Sequence, residues 1–334
     1  MSFLRSLFGA DAPAPARPRE PAPPFPLDGH VKLEHGYPIA DWPRVRTWVD
    51  GLEPEARRAA AWMECERAWL LHFRDALGAS FRLDETETAS LVSSLEPNIA
   101  RATLEFMGRT LRRIQGVLAG IAEPAPWGKD ILIVFNDEES YYRYVSYYYP
   151  ETGEFALSGG MHINWGCSHY VTVKGELRLV EPVIAHEMTH GCLGHLPLPA
   201  WLNEGLAVNT ERRLAGAHPA LYPPAKMHEK HRRFWSVISI QGFWSGKSFL
   251  EPGDSNMLSY DLARILVEQL SQDWEAFKRF VRGADRTDAG AAAAREHLGL
   301  DLGEVVTALL ERETPRSWSP DPSKWEGEPE RGGF

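Results

Sequence analysis

The stretch His186-Glu187-Met188-Thr189-His190 reads H-E-x-x-H, and fourteen positions past its second histidine Glu204 stands inside Trp201-Leu202-Asn203-Glu204-Gly205-Leu206-Ala207. On a helix, His186 and His190 are one turn apart on the same face, so both imidazoles can reach one metal ion. Glu187 projects about 100° around the helix and can meet a water at the metal rather than the metal itself. Glu204 adds a carboxylate to the two histidines. Two histidines and one carboxylate leave the fourth position of a tetrahedral zinc open, which is the mark of a catalytic site rather than a closed structural one. The expectation is one Zn2+ per chain, held by His186, His190 and Glu204, with Glu187 as general base.

The motif alone also fits a surface helix with two solvated histidines, so its neighbours matter. Leu179, Val180, Val183 and Ile184 stand where a buried helix face needs them. Pro182 suits a first helical turn, where its missing N–H costs nothing. Pro197 and Pro199 then mark a stop and a restart. A second helix from Pro199, antiparallel to the first, would bring Glu204 back to the metal.

H-E-x-x-H followed by W-L-N-E-G resembles the gluzincin metallopeptidases, the thermolysin-like group whose third ligand is a glutamate. The Trp201–Gly205 string is similar to the third-ligand motif of zinc aminopeptidases. The short gap between His190 and Glu204 is closer to the peptidase MA-like family. The resemblance spans roughly Ile131 to Leu270. It implies an α+β zincin (thermolysin-like) catalytic domain with a small mixed sheet and an active-site helix, here flanked by helical N- and C-terminal regions.

The resemblance also implies a fourth member of the site. In gluzincins a downstream tyrosine or histidine hydrogen-bonds the oxyanion of the tetrahedral intermediate, and Tyr260, at the start of an amphipathic helix, matches that place. A fixed phenol donor there is worth a few kcal/mol of barrier, on the order of other oxyanion-hole donors; the alternative is a core aromatic. Gly160, Met161, His162 and Ile163 lie where the family places the edge strand that binds the substrate backbone. Zinc aminopeptidases have a glutamate after the methionine, which holds the substrate's amino terminus. Here that position is His162, which cannot supply an anionic clamp and argues against simple aminopeptidase activity. His162 reads as a strand residue at the cleft rim, not as a ligand.

Composition limits the other readings. The 334 residues suffice for one sizeable core with helical additions or for two domains. Net charge is −10 and no Lys/Arg stripe is present, so nucleic acid is a poor partner. Cys65, Cys167 and Cys192 are odd in number and far apart; without an export signal they read as reduced thiols of a cytoplasmic protein. No apolar run approaches the roughly 18 residues of a membrane span. Phe3, Leu4, Leu7 and Phe8 share a helix face that would dock weakly on a partner or a membrane, or else form a frayed terminus.

Four segments follow: a Pro/Ala-rich stretch over 1–30, a helical region over 31–122, the catalytic domain over 123–283, and a helical and flexible tail over 284–334. Within them, helices are expected over Glu53–Leu77 and Pro97–Leu118, and a short one from Glu85. Strands are expected at Ile131–Phe135, Leu157–Ile163 and His169–Val173, with a tyrosine-rich helix over Asp137–Tyr149 between the first two. His228 and His231 are an isolated pair without carboxylates, a weak candidate for a second metal. The function expected is a zinc-dependent metallopeptidase acting on a peptide or protein. The alternatives are an inactive zinc-binding interaction module and a zinc hydrolase of non-peptide amides.

Overall fold

The computed structural model describes residues 25–148, 159–216, 221–312 and 318–325. Met1–Gly9, the Pro/Ala-rich stretch up to residue 24, Tyr149 and the expected strand start at Leu157 lie outside the described residues. The chain opens with a hairpin of β1 (Val31–Glu34) and β2 (Tyr37–Ala40), then α1 (Trp42–Asp50) and α2 (Glu55–Leu77). There follow β3 (Arg82–Glu85), β4 (Ala89–Ser93), α3 (Pro97–Val117), β5 (Asp130–Phe135), α4 (Glu138–Tyr148), β6 (Gly160–Trp165) and β7 (Cys167–Val173). The remainder is helical: α5 (Leu177–Leu193), α6 (Ala200–Ala215), α7 (Pro224–Phe234), α8 (Ser239–Trp244), α9 (Lys247–Leu250), α10 (Asp254–Leu270), α11 (Trp274–Gly283), α12 (Ala291–Leu298) and α13 (Leu302–Leu310). The architecture is α+β, with a small mixed sheet.

The sheet has the order β3-β4-β5-β7-β6. β4, β5 and β7 run parallel to one another, while β3 and β6 run antiparallel at the two edges. β5 reads Asp-Ile-Leu-Ile-Val-Phe because a central strand is covered on both faces and needs no polar alternation. Ile131, Ile133 and Phe135 join Trp62, Trp69, Phe73, Tyr141 and Tyr144 in a core on one face. Leu132 and Val134 join Leu104, Met107, Ile184 and Met188 in a second core on the other. The tyrosines of α4 thus serve packing: Tyr141 and Tyr144 are buried, and Tyr144 hydroxyl meets His169 Nε2 at 2.8 Å.

The stretch from Glu85, expected as a short helix, is instead part of a hairpin, so residues 31–122 carry strands as well as helices. Ala89–Ser93 is buried on both faces and pairs in parallel with Ala89↔Asp130 through Val92↔Ile133. That partner is forty residues away in the chain, and the local pattern gives no hint of it. The C-terminal part also differs from expectation. Trp318 is buried, its carbonyl accepting the Trp244 indole N–H at 2.8 Å, and Gln241 holds Ser319 and Asp321. Trp235, Phe243 and Trp244 are core anchors of this helical half. No helix among the described residues is long and apolar enough to cross a membrane.

Helix α5 lies on β6 and β7 and packs along α6, which in turn packs along α10. Ile184, Met188 and Cys192 recur every fourth residue and face the core. Two expectations for this helix need correcting. It begins at Leu177, so Pro182 sits inside it, not in its first turn. Leu179 is 61% exposed, because the first turn projects beyond the sheet. Helix α6 is buried from Trp201 through Ala207 because it is enclosed by neighbours on every side. Its crossing with α10 depends on Gly205, where a Cβ would stand 2.6 Å from the carbonyl oxygen of Ala263. Asn209 bridges the same crossing, donating to Gly205 and Arg264 carbonyls at 2.8 and 2.9 Å.

Candidate metal centre

Two helices deliver the cluster. His186 and His190 project from one face of α5, and Glu204 from the first turns of α6. His186 Nε2 and His190 Nε2 stand 3.2 and 3.5 Å from one oxygen of Glu204, Oε2. The ligand atoms of all three lie within 4.8 Å of one another. A tetrahedral zinc with bonds of 2.0–2.1 Å has ligand-to-ligand edges of about 3.3 Å. The histidine–glutamate spacings match that edge without rearrangement, and the donor set of two nitrogens and one carboxylate oxygen suits zinc. Among the described residues this is the one cluster of three or more His, Cys, Asp or Glu side chains with metal-ligand spacing. Cys192 is turned into the core, and His231 is committed to Asp261 at 2.9 Å and to the Trp235 indole. Neither belongs to the cluster.

The sequence reading missed one residue. Glu211, two helical turns past Glu204, places Oε2 3.1 Å from His186 Nδ1. If Nδ1 carries the proton, the ring donates it to Glu211 and leaves the Nε2 lone pair free for a metal. Carboxylates behind metal-ligating histidines act in this way, fixing tautomer and ring orientation. Glu204 and Glu211 are seven apart on α6 and therefore share a face, which is the signal the sequence did carry. Glu211→Ala should retain the fold and weaken metal affinity by about 10–100-fold, checked by competition against a chelating dye.

Burial and charge act against one another here. Burial alone would raise the Glu204 carboxyl; His190 and His186 reverse that and hold it far below the usual carboxylate range. Burial alone would lower the imidazoles; Glu204 and Glu211 hold His186 well above its ordinary value, and Glu204 raises His190. Metal binding must displace the protons so held, and affinity accordingly falls with pH. Burial raises Glu187, with His186 and His190 opposing, which moves this carboxyl toward the range useful to a proton shuttle.

The edge strand meets this helix closely. A Cβ on Gly160 would lie 2.4 Å from Val183 and 3.6 Å from Glu187 Cγ, so glycine is what lets β6 approach the H-E-x-x-H helix. The backbone N–H of His162 lies near the Glu187 carboxyl and opposes the rise that burial causes. His162 itself is buried, its Nε2 2.7 Å from Ser168 Oγ, and does not belong to the metal cluster. Ile163 points to the opposite face of the sheet and into the core there, and Met161 packs against that core. Of the four expected edge-strand residues, then, Gly160 and His162 face α5, while Met161 and Ile163 can offer only backbone. Tyr260, from the first turns of α10, stands close to Glu204 and lies 6.4 Å from the His186 ring, centroid to centroid. Its edge contact with Phe249 at 5.3 Å fixes the ring. Burial, with Glu204 and Glu187 adding to it, raises its phenol well above the ordinary value, so it stays protonated as a donor.

A cavity of about 360 Å³ begins beside His162 and Gly191 and runs under the β6–β7 hairpin to Glu66 of α2. Glu66 is 5% exposed and accepts from the Trp62 indole at 2.6 Å and the Lys129 backbone N–H at 3.2 Å. Burial pushes its carboxyl up to about 7, the two hydrogen bonds opposing. A raised carboxyl binds a proton more tightly in the folded chain. That contribution is complete below the unfolded value near 4.5 and is lost as pH rises through about 7. Glu66→Gln should therefore gain about 3 kcal/mol on the wild type between pH 4.5 and 8. Urea titrations of both chains across that range check the sign and the window.

No protein-family model matches the chain, and no curated protein matches it in sequence.

Proposed function

We propose that the protein is a zinc-dependent metallopeptidase of gluzincin type. The observation that carries this reading is the cluster of His186, His190 and Glu204, with the Glu187 carboxyl and the Tyr260 phenol both close enough to its charged groups to feel them. A zinc ion held by His186, His190 and Glu204 would supply Lewis acidity to a water and to the scissile carbonyl. The edge strand β6 pairs with an extended substrate backbone, adding a strand to the open side of the sheet. Glu187 takes one proton from the attacking water as its oxygen bonds to the carbonyl carbon. The same carboxyl then delivers that proton to the leaving nitrogen as the C–N bond breaks. Tyr260 donates its O–H to the oxygen on which negative charge develops. The buried edge contact of Gly160 keeps strand and base in register, so the substrate carbonyl and Glu187 meet at one place.

Tyr260→Phe should retain the metal and the fold and lower kcat by about 10²–10³-fold, with little change in KM, because the donor acts on charge present only in the transition state. The reading as a whole is tested by a peptide library incubated with zinc-loaded protein and read by mass spectrometry. New termini that appear with the wild type and not with Glu187→Gln support it; an unchanged library overturns it.

A further inference from the structure

The cavity beyond His162 has a chemistry of its own. Two carboxylates face it, Glu66 and Asp130, and among the described residues neither forms an ion pair. Arg46 and Lys129 line the cavity too, but their charged ends have other partners. Lys129 Nζ bonds Glu85 at 3.2 Å, and the Arg46 guanidinium lies over the Trp62 ring at 4.7 Å and the Trp127 ring at 5.6 Å. Asp130 has one side-chain partner, the Tyr170 hydroxyl at 3.2 Å. Two further polar atoms on the wall have no partner at all: Trp127 Nε1 and the Nδ1 of His162, a residue only 6% exposed. Buried polar groups are ordinarily hydrogen-bonded, and orphans on the wall of a cavity point to something that enters it.

We propose that this cavity receives a cationic group, an ammonium or guanidinium, of the molecule held in the metal cleft, with Glu66 and Asp130 as its carboxylate partners. A buried carboxylate without a cation is costly, and a cation delivered into the same low-dielectric site recovers that cost. The direction of the carboxyl pKa values agrees: burial pushes Asp130 up to about 6 and Glu66 to about 7. A peptide also supplies a carbonyl for the Trp127 N–H. The cavity borders the metal cluster through His162, whose backbone lies near Glu187, and through Gly191, which follows His190. Identifying the cation with a substrate side chain or amino terminus rests on the peptidase reading; the affinity for a cation does not.

Calorimetry on the full-length, zinc-loaded chain carrying Glu187→Gln tests this with three probes. They are acetyl-Ala-Lys-Ala-amide, the same peptide with norleucine, and unblocked Ala-norleucine-Ala-amide. The expected result is at least tenfold tighter binding of a cationic probe than of the blocked norleucine peptide. Preference for the first probe makes the cation a side chain; preference for the third makes it the amino terminus. Adding Asp130→Asn, which keeps the size and the Tyr170 hydrogen bond, or Glu66→Gln should erase the preference and leave the norleucine affinity unchanged. Equal affinities, no measurable binding of either cationic probe, or a preference that survives both substitutions overturns the proposal. Failure of the peptidase reading shows differently, as zero turnover by the wild type with the cation preference intact.

Discussion

The full-length chain carrying Glu187→Gln is expected to bind its metal with wild-type stoichiometry and to hydrolyse peptides about 10²–10⁴-fold more slowly. The metal is retained because Glu187 is no part of the cluster of His186, His190 and Glu204. The fold is retained because glutamine has nearly the same volume and keeps a polar end beside the His162 backbone. What is lost is the capacity to take a proton and return it, which an amide cannot do. Kinetics and metal content measured on one preparation separate the two effects. Turnover undiminished in this variant would remove Glu187 from the mechanism, whatever the metal did.

Glu204→Ala is expected to cost more in metal affinity than the 10–100-fold that follows loss of an outer partner such as Glu211. Glu204 Oε2 is the atom that both imidazoles face, at 3.2 and 3.5 Å. Its removal leaves the two imidazoles as the only ligands and takes the one carboxylate out of the cluster. Glu204→Gln separates charge from shape, since the amide oxygen still ligates but carries no net charge. Its affinity should fall between those of wild type and Glu204→Ala. A Glu204→Ala chain that keeps stoichiometric metal through dialysis would mean that another group completes the site.

The metal cluster could be read from the sequence because its parts are local. H-E-x-x-H puts two histidines and a glutamate within one turn and a half, and Glu204 follows after a proline-marked break that forces the chain back. The long apolar runs, Ile131–Phe135 and the stripe of α3, were legible for the same reason. Glu211 was not, because Arg212 and Arg213 beside it make that stretch resemble a solvated helix end; only the seven-residue spacing from Glu204 marks its face. The strand Ala89–Ser93 was hidden because its partner β5 is remote and because five residues buried on both faces carry no alternation. Pro182 was misplaced because the sequence does not show how far a helix extends beyond the surface it packs on. The cavity lay beyond any linear reading: its walls come from α1, α2, the segment before β5, the β6–β7 hairpin and the end of α5.

The central claim is that His186, His190 and Glu204 hold one zinc ion. Elemental analysis of the purified full-length wild type beside His186→Ala tests it most directly. The account requires about one zinc per wild-type chain, on the stoichiometry of a single three-ligand site, and its loss in the variant. No zinc in the wild type after resupply, or equal zinc in both chains, would contradict it.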